Sequence, residues 1–324
     1  MNNKRKKNVF QNIVLLFFTI IFTLILIEFS LRLFLNDDLR YATAPGQKKW
    51  VKGYANFNKE GYRDIDHQLI KEKNTVRIAG LGDSFTFGIG IKNADNLYLT
   101  KLDMLLNNPE KKYEVFNRAK IGIGTSQEIE ILKKDGLKYK PNIIVLGYFL
   151  NDFDDAENIG NINSKYGIKF LRSLKFFIYD TFYSYYFYDR ALQKFDEVTG
   201  IKQTYPDYLN SILSSKDNID FNAEYLRQLK QISNDNNATL IVAIIPVIHE
   251  LKNYPFMEAN KYIEEAGRKY NFTVIDLLPY FKDYNENELW VNQYDHHMNE
   301  LGHDVTARAI YNKMAQSKLV RAKN

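Results

Sequence analysis

The sequence predicts an α/β domain, a parallel sheet covered by helices on both faces, behind one N-terminal transmembrane helix. Three observations predict it. Continuous apolar runs, such as residues 76–81 and 239–245, alternate with helical patterns, as buried parallel strands do. An uncharged apolar run, residues 9–27, precedes them all. Side chains suited to chemistry stand just after the apolar runs, where parallel sheets gather functional groups.

The 324 residues are 45% hydrophobic, enough for one large domain with an appendage. Cysteine is absent, which excludes disulfides, Cys-based zinc sites, a thiol nucleophile and a lipid-modified cysteine. The formal charge is +5, but Lys4, Arg5, Lys6 and Lys7 supply four of those charges. Without them 40 basic residues face 39 acidic ones, so the charge gives no reason to expect a nucleic-acid partner.

Residues 9–27 would span roughly 28 Å as a helix, close to a bilayer's hydrocarbon thickness. The basic cluster before them places the N-terminus in the cytoplasm and the rest of the chain outside it, periplasmic or at the cell surface. Glu28 and Arg32 are four apart and can pair on one face at the outer end. A cleaved signal peptide is the rival reading. Its nearest site, Ala42-Thr43-Ala44, is distant and followed by Pro45, so an uncleaved anchor over 1–35 is favoured.

Residues 36–73 read as a stalk with a turn at Gly61, and residues 74–320 as the main domain. Its expected strands are 76–81, 113–117, 142–149, 239–245 and 272–277. Expected helices are 97–106, one opened by a capping box at Thr125-Ser126-Gln127-Glu128, then 221–232, 257–270 and 301–314. An insertion over about 153–220 is dense in Phe and Tyr between 170 and 188. It is read first as a helix packed on the domain, then as a lid against sugar or acyl groups, then as a contact with the membrane interface.

Ser84 follows the first strand in Gly82-Asp83-Ser84-Phe85. A free hydroxyl is a weak nucleophile and needs a base, which His297 can supply while Asp295 holds its tautomer. The Ser84 and Gly122 N–H groups and the Asn151 amide are candidate donors to an oxyanion. Gly-Asp-Ser alone can be a mere turn, and Asn151-Asp152 can be an Asx turn. Their order, each after a strand, gives the set its weight.

These residues resemble the SGNH/GDSL hydrolase family. The matching blocks are Gly82-Asp83-Ser84-Phe85, Asn117-Arg118-Ala119-Lys120-Ile121-Gly122, Gly147-Tyr148-Phe149-Leu150-Asn151-Asp152 and Asp295-His296-His297-Met298-Asn299, within residues 76–318. The resemblance implies a flavodoxin-like three-layer α/β/α fold and hydrolysis or transfer of an ester by a serine, with no cofactor or metal required. The family often places Asp three residues before His, where this chain has Tyr294. His296, next to Asp295, competes with His297 as the base, and Gly124 competes with Gly122 as the glycine of the second block. The run His297-Met298-Asn299, with Gly302-His303 after it, favours His297.

Other sites fare worse. The third glycine of a dinucleotide fingerprint is missing, no phosphate loop exists, and Gly-x-Ser-x-Gly is absent. Asp152, Asp154 and Asp155 have no histidine nearby to complete a metal site. His303 is read as structural, and His67, His249 and Glu250 as solvated. The expectation is an anchored, extracytoplasmic serine esterase. Likeness to anchored bacterial relatives suggests small acyl groups on surface or secreted polysaccharide. The alternatives are an O-acyltransferase with the same triad and a non-catalytic glycan-binding or assembly protein.

Overall fold

A computed structural model describes residues 2–107, 112–153, 169–200 and 205–320. The chain forms two units, Met1–Val51 with Gly167–Lys202, and Lys52–Tyr166 with Gln203–Asn324.

The larger unit is built on five parallel strands: β1 (Thr75–Gly82), β2 (Lys112–Asn117), β3 (Ile143–Tyr148), β4 (Thr239–Ile244) and β5 (Thr273–Asp276). Their order is β2-β1-β3-β4-β5, the flavodoxin-like doubly wound order. After β1 the chain turns to one side for β2, then crosses to the other for β3. The crevice that this reversal opens lies beyond Gly82 and Gly147, which are register partners.

β1, β3 and β4 are apolar almost throughout because helices cover both faces. Ile78, Leu81, Ile144, Leu146, Leu240 and Val242 are fully buried. Helices Tyr98–Leu106 and Glu300–Gln316 pack together, while Thr125–Ile131 and Met257–Tyr270 pack on Lys216–Asp235. The three-layer α/β/α arrangement expected from the sequence is therefore present.

The details differ at several points. The helix at Thr125 starts there rather than after it, so Gln127, not Glu128, is the third helical residue and accepts from the Gly124 N–H at 3.3 Å. Lys216–Asp235 begins earlier than expected because Ser215 caps it, accepting from the Asn218 N–H. A short antiparallel hairpin, β6 (Trp290–Asn292) and β7 (Asp295–Met298), was not expected. Within residues 36–73 stand helices Asp37–Ala42 and Ala44–Tyr54, and residues from Lys52 onward belong to the sheet-bearing unit. Arg63 there is buried and donates to the carbonyls of Phe87, Gly88 and Ile91.

The smaller unit contains helix Asn2–Phe34, of which Lys7–Phe34 is long and apolar enough to cross a membrane. Arg32 Nε donates to Glu28 Oε1 at 2.8 Å, the pair that their spacing predicts. From the aromatic insertion it takes helices Lys169–Thr181 and Ser184–Thr199. The helix Tyr205–Ser214 belongs to the sheet-bearing unit. Asp154 and Asp155 lie outside the described residues.

Candidate active site

Ser84 opens a one-turn helix, Ser84–Phe87, directly after β1. Asp83 caps this turn, its Oδ1 accepting from the Phe85 N–H at 2.9 Å. Gly82 makes the tight exit possible. Its φ of +151° disfavours a side chain, and an added Cβ would lie 2.0 Å from Thr86 Oγ1.

His297 and Asp295 come from β7. Alternate residues of a strand share a face, so 295 and 297 point one way and His296 the other. His296 is exposed and stacks on Trp290 at 3.9 Å. His297 Nδ1 lies 2.5 Å from Asp295 Oδ1, and its Nε2 lies 2.8 Å from Ser84 Oγ. Asp295 Oδ1 also accepts from the His297 N–H at 3.0 Å. Between the two histidines left open by the sequence, His297 is the one that meets the serine.

Asn299 fixes the hairpin. Its Oδ1 caps the last helix through Leu301 and Gly302, while its Nδ2 donates to the carbonyls of Glu288 and Trp290. Phe85 presses on His297 from below, ring centroids 4.6 Å apart, and stacks on Phe149 at 4.0 Å. Burial draws the His297 pKa down. The hydrogen bond and charge of Asp295, with the charge of Asp83, outweigh it and leave the imidazole above its ordinary value.

Asn151 follows β3 in the 3₁₀ turn Leu150–Phe153, and its Nδ2 donates to Asp83 Oδ2 at 3.2 Å. An amide nitrogen carries two hydrogens, so a second remains. Gly122 lies in an exposed loop with φ of +71°. The loop leaves β2 alongside β1, since the Arg118 and Lys120 N–H groups donate to the carbonyls of Gly80 and Gly82. The rival Gly124 already gives its N–H to Gln127.

Sequence reasoning missed a buried acid cluster. Asp83, Glu128 and Asp152 are all at most 4% exposed. Glu128, expected in a capping box, points inward instead, and neither of its oxygens has a hydrogen-bond partner among the described residues. Burial and then the charges of Asp152 and Asp83 push its pKa well up. Burial and the Asp83 charge do the same to Asp152, and burial raises Asp83 against the hydrogen bond from Phe85.

His303 is structural in placement, buried and accepting the Tyr98 N–H at Nδ1. His249 pairs with Glu250 at 3.4 Å, both well exposed. His67 corrects its expected exposure: its side chain is 4% exposed and lies between Asp64 and Glu114 at 3.1 and 2.9 Å. No group of residues arranged to hold a metal occurs among the described residues.

No protein-family profile and no curated protein matches this sequence. Solved structures do. The acetylxylan esterase Axe2 from Geobacillus stearothermophilus is 15% identical, with 75% of this chain and 96% of that chain covered at a TM-score of 0.46. TesA is 11% identical, with 74% and 98% covered, also at 0.46. A GDSL-like lipase from Parabacteroides merdae is 15% identical, with 78% and 100% covered, again at 0.46.

Proposed function

We propose that this chain is a serine esterase of the SGNH/GDSL type, acting on small O-acyl esters carried by surface or secreted polysaccharide. One observation carries the reading: His297 joins the Ser84 hydroxyl and the Asp295 carboxylate, at 2.8 and 2.5 Å, through its two ring nitrogens. A serine bonded to an imidazole that a carboxylate orients has the geometry of an activated nucleophile.

Ser84 Oγ attacks the acyl carbon while His297 Nε2 takes its proton. Asp295 keeps the proton of Nδ1 in place and balances the imidazolium. The oxyanion accepts from the Ser84 and Gly122 N–H groups and from the second Asn151 N–H. As the C–O bond to the alcohol breaks, His297 returns the proton to the leaving oxygen. Water, activated by the same imidazole, then releases the acid and frees Ser84. The chemistry needs no cofactor. Residues 7–34 anchor the chain in a membrane, with the N-terminus cytoplasmic and the catalytic unit outside, as the flanking basic cluster favours.

The test is a fluorophosphonate probe together with an activated acetyl ester. Wild-type protein labels at Ser84 and hydrolyses the ester. Ser84→Ala loses both and keeps its melting temperature, since it removes one half-buried oxygen. Labelling elsewhere, or undiminished turnover by Ser84→Ala, would refute the assignment.

A further inference from the structure

We propose that helices Lys169–Thr181 and Ser184–Thr199 form a second membrane contact, lying in the boundary between headgroups and acyl chains beside the spanning helix. The proposal rests on the reading of residues 7–34 as a membrane span.

The first observation is where the helix pair is fastened. Glu28, only 8% exposed, accepts from the Tyr183 N–H at 3.2 Å, the Ser184 N–H at 3.0 Å and Ser184 Oγ at 2.9 Å. Arg32 holds Glu28 at 2.8 Å and donates to the Thr181 carbonyl at 2.9 Å, its guanidinium 5.3 Å from the Tyr183 ring centroid. Charge-assisted bonds of this kind are strong and directional. The turn between the two helices is thus clasped to residues 28 and 32 of the long helix. The uncharged run ends at Ile27, and Glu28 to Phe34 is about 9 Å of helix, comparable to the polar boundary on one side of a bilayer. The clasp sets the turn at headgroup depth.

The second observation is what the helices expose. Leu174 and Phe177 are three apart, and Tyr188, Leu192 and Phe195 follow at i, i+4 and i+7, so each helix carries an apolar stripe. Phe177, Tyr188 and Phe195 are 59%, 61% and 58% exposed. Phe176 and Phe187 add exposed ring surface, at 54% and 38%. Tyr179, Phe182 and Tyr186 face Ala42 and Ala44 across a cavity of about 220 Å³, and Lys48 pairs with Asp180 at 2.7 Å. The pair thus meets the rest of its unit near the turn and offers phenyl and phenol rings elsewhere, beside the end of the span. Aromatic side chains of this character are favoured where lipid meets water. The continuity with the span is what assigns this surface to lipid.

The absence of cysteine permits unique labelling of the full-length chain. Ile21→Cys, Phe177→Cys, Phe195→Cys and Glu258→Cys would each carry a nitroxide in vesicles of phosphatidylethanolamine and phosphatidylglycerol. Collision with oxygen, which enters lipid, is compared with collision with a nickel chelate, which does not. The label at 21 is expected deep in lipid and the one at 258 in water. Labels at 177 and 195 are expected between them, with oxygen favoured over the chelate. Adding Glu28→Leu should shift 177 and 195 toward water and leave 21 unchanged. If 21 is deep but 177 and 195 match 258, the second contact is refuted and the anchor stands. If 21 is in water, the anchor itself fails. Shielding of 177 and 195 from both quenchers, with broadening between labelled copies, would assign the surface to a second copy and overturn the proposal. Unchanged depth in the Glu28→Leu chain would overturn the clasp.

Discussion

The ring of Phe85 lies under that of His297, centroids 4.6 Å apart and planes tilted by 40°. The residue that follows the proposed nucleophile thus lies against its proposed base. Phe85 is buried and also stacks on Phe149. Phe85→Ala removes both contacts at once and is expected to cost about 3–5 kcal/mol of stability. Turnover should fall further than binding, because the imidazole gains freedom to leave Ser84. Phe85→Leu should keep most of the stability. Steady-state kinetics beside denaturant melts would check both, and full activity in Phe85→Ala would remove the supporting role.

The pH dependence follows from His297. Only the neutral imidazole accepts the Ser84 proton, so kcat/KM should rise with pH and level off, with a midpoint above the ordinary histidine value of about 6.5. Stability runs the other way. A folded pKa above the unfolded one stabilises the fold fully below about pH 6.5, and this contribution is lost as pH rises through the folded value. Asp295→Asn should move the kinetic midpoint down and greatly lower the plateau. A midpoint that does not move would mean that Asp295 does not set the basicity of His297.

Glu128→Gln tests the buried acids. Because its folded pKa is well above the usual carboxyl range, Glu128 favours folding at low pH. That contribution declines from about pH 4.5 upward, until the raised folded value is reached. Glutamine fills the same space and has no charge to desolvate. The variant should melt at the wild-type temperature near pH 4 and a few degrees higher at about pH 8. A lower melting temperature at the higher pH would show that an ionised Glu128 stabilises the fold.

Asn151→Ala should reduce turnover by about 10²–10³ with a small change in KM, the signature of a donor used mainly in the transition state. A change confined to KM would move Asn151 from the oxyanion to ground-state binding.

The sheet was legible because its central strands are buried on both faces, and such strands need uninterrupted apolar residues. The helix bounds at Met257–Tyr270 matched for a similar reason, since its apolar positions recur with the helical period. The meeting of Ser84 with His297 was foreseeable only through the order of the motifs. The element that brings His297 there, β7, reads Asp-His-His-Met and has neither apolar alternation nor length to announce a strand. Glu128 departs from the expected capping box because Thr125 offers cap chemistry three residues before it, while the helix takes Gly124 as its cap and turns Glu128 inward. His67 was misplaced because Glu114, which holds it, is 47 residues away and becomes its neighbour only when β2 pairs with β1.

The Ser84–His297 contact spans 213 residues of chain. On the ribosome the hydroxyl therefore emerges long before the imidazole that would activate it. The nascent protein carries an idle serine while the next 213 of its 324 residues are added, and a product truncated before residue 297 would hold the proposed nucleophile without its proposed base. The hairpin β6–β7, near the end of the chain, is the element that would arm the site.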